Sequence, residues 1–356
     1  MKRFFAIIST ILVLAACSNE GLIDSPNTND GRIKFGDVST RAAVSNASDI
    51  TEFGVMAEMN LGADDTPEAL QWVPLLENER VYRGSDNNFT YDNTRYWVED
   101  RTFRFFAYYP YLIENKDAAA DGLWKVESTT SASGSGNYEL SYVTPAEANS
   151  DLLASNTNVR ILSGGETEYP TYPTVDVTFE HLVTSVGLKI WRDGGKHQND
   201  QMRITKVTLG NIRKSGTYSS QTETWTPNSD KMDFEKIYTI FADTDNIGAA
   251  VVENNGLTFG GNPPADPFGT MLLLPQALDA SNLVSLKIEY ELKRQNAADW
   301  EPAELETNLP AITWAKNKQY TYNVVLSQVT DITIYYIQTK VDPWGTPQVG
   351  GTVIIK

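Results

Sequence analysis

The sequence predicts an all-β protein assembled from sandwiches or open barrels, and three observations predict it. Helical periodicity is scarce, while apolar residues recur with period two, the spacing that sets one face of a strand against a core. Strand-favouring aromatics are abundant, with 8 Trp, 17 Tyr and 13 Phe. Short apolar segments alternate with turn-rich stretches such as Ser131 to Asn137 and Gly260 to Pro267. Many short strands punctuated in this way indicate sandwiches or open barrels.

Taken in order, Thr102 to Tyr109 alternates and stops at Pro110. Val175 to Ile190 reads as two strands, the first carrying Val175, Val177 and Phe179 on one face. Met202 to Leu209 alternates imperfectly through Ile204 and Val207, and Met271 to Leu274 is a short buried run ended by Pro275. From Leu283 to Leu292, the residues Val284, Leu286, Ile288, Tyr290 and Leu292 share a face. Tyr320, Tyr322 and Val324 do the same within Gln319 to Leu326, and Ile332 to Ile337 follows. Asn115 to Gly136 is the segment poorest in strand signal, and the loop from Leu162 to Pro173 comes next. No internal repeat stands out.

The N-terminus carries an address rather than a fold. Lys2 and Arg3 precede an apolar run from Phe4 to Leu14, too short to span a bilayer, and small residues follow. This reads as a cleavable signal peptide. Leu14-Ala15-Ala16-Cys17 resembles the bacterial lipobox, in which cleavage precedes the cysteine and its sulfur takes a diacylglycerol. Cys17 is the chain's one cysteine, so the folded part has no thiol for a disulfide and relies on burial. Residues 18–31 are polar and read as a tether. The remainder, roughly 325 residues, exceeds one typical domain. We expect a removable segment over 18–41, domains over 42–172 and 173–340, and a tail over 341–356.

Charge and chemistry narrow the function. There are 46 acidic against 29 basic residues, a net charge of −17, which disfavours nucleic acid as a partner. Only two histidines are present, with no metal-ligand spacing; His181, in a strand beside Phe179, reads as a packed structural residue, and His197 as part of a turn. No nucleophile elbow occurs, and nothing in the spacing selects a pair of carboxylates. Asp243 to Gly248 resembles a calcium loop only faintly, since Asn254 stands where an acid is needed. We therefore expect no enzyme, no metal and no cofactor. Trp72, Tyr82, Tyr91, Tyr96 and Trp97 lie close in sequence; core packing is their expected use, sugar stacking the other.

Several stretches together resemble the Bacteroides-type fimbrillin and fimbrillin-like superfamily. They are Arg32 to Gly36 with Ser39-Thr40-Arg41-Ala42, Phe53 to Ala57, Phe103 to Pro110, and Phe179 to Leu182 leading into Val186 to Ile190. Further on come Leu274-Pro275-Gln276, Trp314 to Tyr322 and Pro343-Trp344-Gly345. The resemblance spans essentially the whole chain after the lipobox. It implies two tandem transthyretin-like β-sandwich domains and a C-terminal donor-strand tail. It also implies export as an outer-membrane lipoprotein. An arginine-specific or trypsin-like protease would then cut between Arg41 and Ala42, and assembly would proceed with other pilin subunits, of the same or a related kind, in a head-to-tail fibre on the cell surface.

The residues are compatible with that scheme. A strand from Arg32 to Val38 would point Ile33 and Phe35 inward, and a cut after Arg41 would release it, leaving an open edge and an apolar groove. Val349, Val353 and Ile355 share one face of the C-terminal segment, a candidate to refill the groove. Reburying roughly 300 Å² of apolar surface at about 25 cal/mol per Å² would contribute about 7 kcal/mol before costs. The resemblance implies that Arg41 disfavours a membrane-anchor subunit, since the family's anchors tend to lack the maturation arginine, and that the tail slightly favours a stalk over a tip. A host or bacterial surface glycan or protein is a further expected partner of such a subunit. Two rival readings stay open: a surface glycan-binding lipoprotein that never polymerises, and a secreted hydrolase.

Overall fold

The computed structural model describes residues 30–40, 49–62, 72–112, 122–128, 137–161, 172–193, 201–238, 249–253, 256–260, 264–326, 332–339 and 350–354. Its regular elements are all strands. The first nine are β1 (Lys34–Thr40), β2 (Glu52–Asn60), β3 (Trp72–Arg83), β4 (Phe89–Thr90), β5 (Arg101–Tyr109), β6 (Gly122–Ser128), β7 (Tyr138–Val143), β8 (Leu153–Ile161) and β9 (Thr174–His181). Seven of them close a ring in the order β1-β4-β3-β2-β5-β8-β9. Period-two alternation fills it: Phe53, Val55 and Ala57 of β2, Phe103, Phe105 and Ala107 of β5, and Val175, Val177 and Phe179 of β9 all point into one core. Aromatic edges meet aromatic faces there, as where Phe53 contacts Phe179 at 5.6 Å.

A second unit follows. Its first strands are β10 (Thr184–Asp193), β11 (Gln201–Arg213), β12 (Ser215–Ser219), β13 (Thr224–Pro227), β14 (Lys231–Ile237), β15 (Ala249–Glu253), β16 (Gly256–Gly260) and β17 (Thr270–Leu273). Then come β18 (Gln276–Leu278), β19 (Ser285–Lys293), β20 (Glu301–Asn308), β21 (Ile312–Trp314), β22 (Gln319–Leu326), β23 (Ile332–Thr339) and β24 (Gly350–Ile354). One sheet runs β16-β15-β10-β22-β23-β24, with β17 also on β10; another runs β14-β11-β19-β20, and β18 pairs with β21. Val186, Leu188 and Ile190 of β10 and Tyr322 and Val324 of β22 share a core with Ile204 and Val207 of β11 and Leu286 and Ile288 of β19. Two sheets thus enclose one core, the arrangement of a sandwich.

The units interlock. β6 and β7 leave the ring and join β12 and β13 of the second unit in the sheet β13-β12-β7-β6. That sheet lies over the outer face of the ring, where Met56, Phe106 and Tyr108 pack with Leu140, Tyr142, Tyr218, Leu272 and Leu274. β2 and β5 are therefore buried on both faces near this junction, and in β5 the alternation expected from the sequence gives way to a continuous buried run from Phe105 to Tyr108.

Two expectations need correction. Strand β9 was expected to open the second domain, but it closes the ring, so the change of unit falls at Leu182–Val183 rather than at 172. The expected strand-poor segment holds β6, ordered by antiparallel pairing with β7 from Leu123↔Tyr142 to Ser128↔Tyr138.

The ring has two ends. At the junction, β9 runs through Leu182–Val183 into β10. At the opposite end, the distal pole, β1, β3, β5 and β9 begin and β2 and β8 finish, as the pairs Lys34↔Thr174, Asn60↔Trp72 and Arg101↔Ile161 show.

Candidate functional site: a strand held by two thin seams

β1 is a core strand with weak flanks. Ile33, just before it, and Phe35 within it are 2% and 5% exposed. The Phe35 ring stands edge-on to Phe53, Tyr91 and Phe105 at 5.9, 5.7 and 6.2 Å. On one side β1 pairs in parallel with β9 from Lys34↔Thr174 to Thr40↔Phe179, with a shift of register between Phe35 and Val38. Gly36 makes that irregularity possible: a β-carbon there would lie 2.3 Å from Asp176 Oδ1, the atom that accepts the Asp37 amide at 3.1 Å. The Ser39 hydroxyl donates to that of Thr178 at 3.2 Å.

On the other side, β1 and the two-residue β4 share one register pair among the described residues, Phe35↔Phe89. Below it, single bonds take over. The Tyr91 hydroxyl donates to Ile33 O at 3.0 Å, the Ile33 amide to Arg95 O at 2.9 Å, and the Trp97 amide to Gly31 O at 2.9 Å. A cavity of about 580 Å³ opens in this seam, walled by Ile33 to Gly36 and by Asn88 to Tyr91. Arg32 and Lys34 also line it, and Asp30 holds both, 3.2 Å from Arg32 and 3.3 Å from Lys34. Slight burial would raise its pKa, but the Arg32 amide and the Lys34 ammonium outweigh that and hold it below the ordinary aspartate value.

The ribbon formed by β1 and β9 is lightly attached along its far edge too. β8 and β9 pair at Leu153↔His181 and Ala154↔Glu180 and then part. A cleft of about 320 Å³ lies between them, lined by Ser155, Asp176, Thr178, Glu180, Glu223 and Lys316. Lys316 reaches Glu223 at 3.3 Å and Glu180 at 3.8 Å, tying the ring to the second unit.

The C-terminal candidate lies at the edge of the second unit. β24 pairs antiparallel with β23 through Tyr335↔Ile354, Tyr336↔Val353 and Gln338↔Gly350, with a shift between the last two. Val353 is in this strand. Val349 and Ile355, like Cys17, Arg41 and Ala42, fall outside the described residues; Arg41 directly follows the end of β1.

Other residues singled out by sequence take structural places. His181 is buried, its Nδ1 2.7 Å from Asp151 Oδ1. Trp97 packs edge-on to Phe103 at 4.8 Å, and Trp72 lies under the Arg104 guanidinium at 3.5 Å. Tyr91 packs on Phe35, and the Tyr82 hydroxyl donates to Asp92 at 2.9 Å, whereas Tyr96 is 54% exposed. Sequence reasoning missed the contacts of residues 91–97 with β1, because isolated bonds leave no periodic signal. It also missed Asp176, which alternation marks only as a solvent-facing position.

A fimbrillin-like family model matches residues 40–344. The chain resembles a solved fimbrial protein from Bacteroides vulgatus, with a TM-score of 0.60 and 16% identity, over 88% of this chain and 99% of that one. Looser likenesses include candidate cell adhesion proteins from Parabacteroides distasonis (TM-score 0.45, 12% identity, 88% and 97% covered) and Bacteroides ovatus (TM-score 0.40, 15% identity, 89% and 98% covered). Among curated proteins, none matches the chain.

Proposed function

The chain belongs to the fimbrillin-like family, and from that premise we propose that it is a structural subunit of a surface fimbria that supports adhesion and is built by strand replacement. The precursor is exported, lipidated at Cys17 and held on the outer membrane. A trypsin-like or arginine-specific protease cuts after Arg41. β1 then leaves, and the C-terminal strand of another subunit, around Val349, Val353 and Ile355, takes its slot. A donated tail suits a stalk better than a tip. The chain acts as a building part and no catalytic role is assigned to it.

One observation carries this reading. β1 plugs the ring core with Ile33 and Phe35, yet one of its two edges is held by a single register pair beside an open cavity. A strand so placed leaves a deep apolar groove when it goes, and the exposed edges of β9 and β4 template a replacement. Restoring two fully buried side chains of this size is worth about 3–6 kcal/mol before ordering costs. The rival glycan-binding reading gains nothing comparable, because four of the five clustered aromatics are engaged in packing or hydrogen bonds.

The test is a limited tryptic digest of precursor beginning at residue 18, with the new N-terminus mapped by mass. Assembly is followed as boil-sensitive ladders on a gel, with Arg41→Ala and a chain ending at Trp344 as controls. We expect a cut after Arg41, ladders from the parent, and none from either control. Resistance of the Arg41–Ala42 bond while other loops are cut would overturn the maturation step.

A further inference from the structure

The cleft between β8 and β9 has no part in strand replacement. It opens where the two strands separate beyond Ala154↔Glu180, holds about 320 Å³, and is walled mostly by groups that accept hydrogen bonds. Asp176, Thr178 and Glu180 stand at alternate positions of β9, so they share the face opposite to Val175, Val177 and Phe179 of the ring core. At about 3.3 Å per residue the two carboxylates lie roughly 13 Å apart along the strand, with Thr178 between them. On β8, Asn156 donates its side-chain nitrogen to Ser220 O at 3.3 Å, and its side-chain oxygen has no partner among the described residues. Ser155 also lines the cleft; it is 8% exposed, and its hydroxyl makes no hydrogen bond among the described residues. The Glu180 end already holds an ammonium. Lys316 lies 3.8 Å from Glu180 and 3.3 Å from Glu223, and its nitrogen is 5.6 Å from the centre of the Tyr218 ring. The Asp176 end holds none: its carboxylate accepts the Asp37 amide at 3.1 Å and makes no ion pair among the described residues. The cleft thus sets three carboxylates against one ammonium, on a chain of net charge −17. They are too spread for a metal ion: among the described residues, no group of three His, Cys, Asp or Glu could hold one.

We propose that this cleft binds a linear polyamine laid along β9, with one terminal ammonium on Asp176, an inner nitrogen against Thr178 and the acceptors of β8, and the other terminus competing with Lys316 for Glu180 and Glu223. The lining selects length as well as charge. A lysine side chain or a simple amine brings one ammonium and answers one end only. A neutral sugar answers the hydroxyls but leaves Asp176 without a counter-charge. A methylene chain with spaced ammoniums has donors alone, which suits a slot whose acceptors recur at every second residue. Asp176 and Glu223 are exposed and Glu180 is half-buried, so each contact is weak by itself and screened by salt. Asp176 and Glu180 belong to the ring, Glu223 and Lys316 to the second unit, so the ligand exchanges one tie between the units for another. The site is complete in the intact precursor and does not depend on the fate of β1.

The test is calorimetric titration of spermidine into the uncleaved chain begun at residue 18, in about 20 mM salt so that screening is slight. We expect saturable one-to-one binding. The double variant Asp176→Asn, Glu180→Gln should weaken it at least about tenfold; the new amide oxygen at 176 can still accept the Asp37 amide, so the fold is kept. A second double variant, Glu304→Gln with Glu306→Gln, removes the same charge from exposed positions of β20 and should bind like the parent. Lys316→Met removes the competing ammonium and should bind several-fold more tightly, a gain that damage to the fold cannot imitate. Heat that never saturates, or equal weakening by the two double variants, would mean diffuse attraction of a cation to an acidic chain and would overturn the site. Weaker binding by Lys316→Met would overturn the competition, and with it the placement of the ligand at Glu180.

Discussion

Phe35 is where the local energetics of β1 concentrate. Its ring meets three other rings edge-on, and a buried phenylalanine cut back to alanine costs about 3–5 kcal/mol. In the intact precursor we expect Phe35→Ala to lower the unfolding free energy by about 3 kcal/mol, read from urea denaturation. In a chain nicked after Arg41, the same change should speed loss of the N-terminal fragment by roughly a hundredfold, followed by mass after gel filtration, because about 1.4 kcal/mol corresponds to a factor of ten. A fragment that stays equally long in parent and variant would mean that the backbone bonds to β9, not the ring, hold β1. Ile33 and Phe35 were legible in the sequence because alternation alone turns them inward. The fates of neighbours were not: Trp97 is buried and Tyr96 exposed, a difference set by pairing with residues 31 and 32, far off in sequence. His181 was legible as a packed residue, but its partner Asp151 was not.

Strands were legible in proportion to how much of their order is local. The segments read at Thr102 to Tyr109 and Gln319 to Leu326 reappear as β5 and β22 because each carries its own buried face. β6 and the short β12 and β13 were missed because they belong to one shared sheet, β6 on β7 and β13 on β12, whose halves meet across the units at pairs such as Gly216↔Tyr142 and Tyr218↔Leu140, which no local pattern encodes. The core between that shared sheet and the ring has a chemical signature. Burial drives the phenols of Tyr108, Tyr138 and Tyr218 well above the ordinary tyrosine value of 10.0. A folded-state pKa raised above the unfolded one means that the folded chain keeps protons the unfolded chain would release. The stabilisation is whole below about pH 10 and is lost as pH rises beyond it. We expect the urea midpoint to fall steeply above that pH, with these tyrosines ionising only as the chain unfolds. Replacing Tyr138 with Phe should flatten the fall. A midpoint that stays level while tyrosinate absorbance rises would show that the sheet admits solvent without unfolding.

At the scale of the whole molecule, the all-β class was legible, and the place where the ring gives way to the second core was not. The turn-rich stretch before residue 173 is a poor guide, since β8 before it and β9 after it belong to the same ring. What the sequence hid is that each half completes the other. Phe106, Tyr108, Leu140 and Tyr142 come from the first half and are at most 1% exposed, because Tyr218, Leu272 and Leu274 from the second half pack on them. Each such side chain contributes about 1.5–3 kcal/mol through burial, so baring several of them would consume most of the 5–15 kcal/mol by which a domain is stable. A chain ending at Val183 should therefore fail as an independent unit. We expect it to bind a hydrophobic dye and to unfold over a broad range of urea concentration. The full chain should lose far-ultraviolet dichroism and tryptophan fluorescence in one coincident transition. A fragment with a sharp transition at the parental midpoint would mean that the shared sheet is an accessory. In the fibre proposed above, the subunits would then be hinged beads rather than stiff two-unit segments in which tension on a strand seated in the ring passes through β7 and β12 to the second unit.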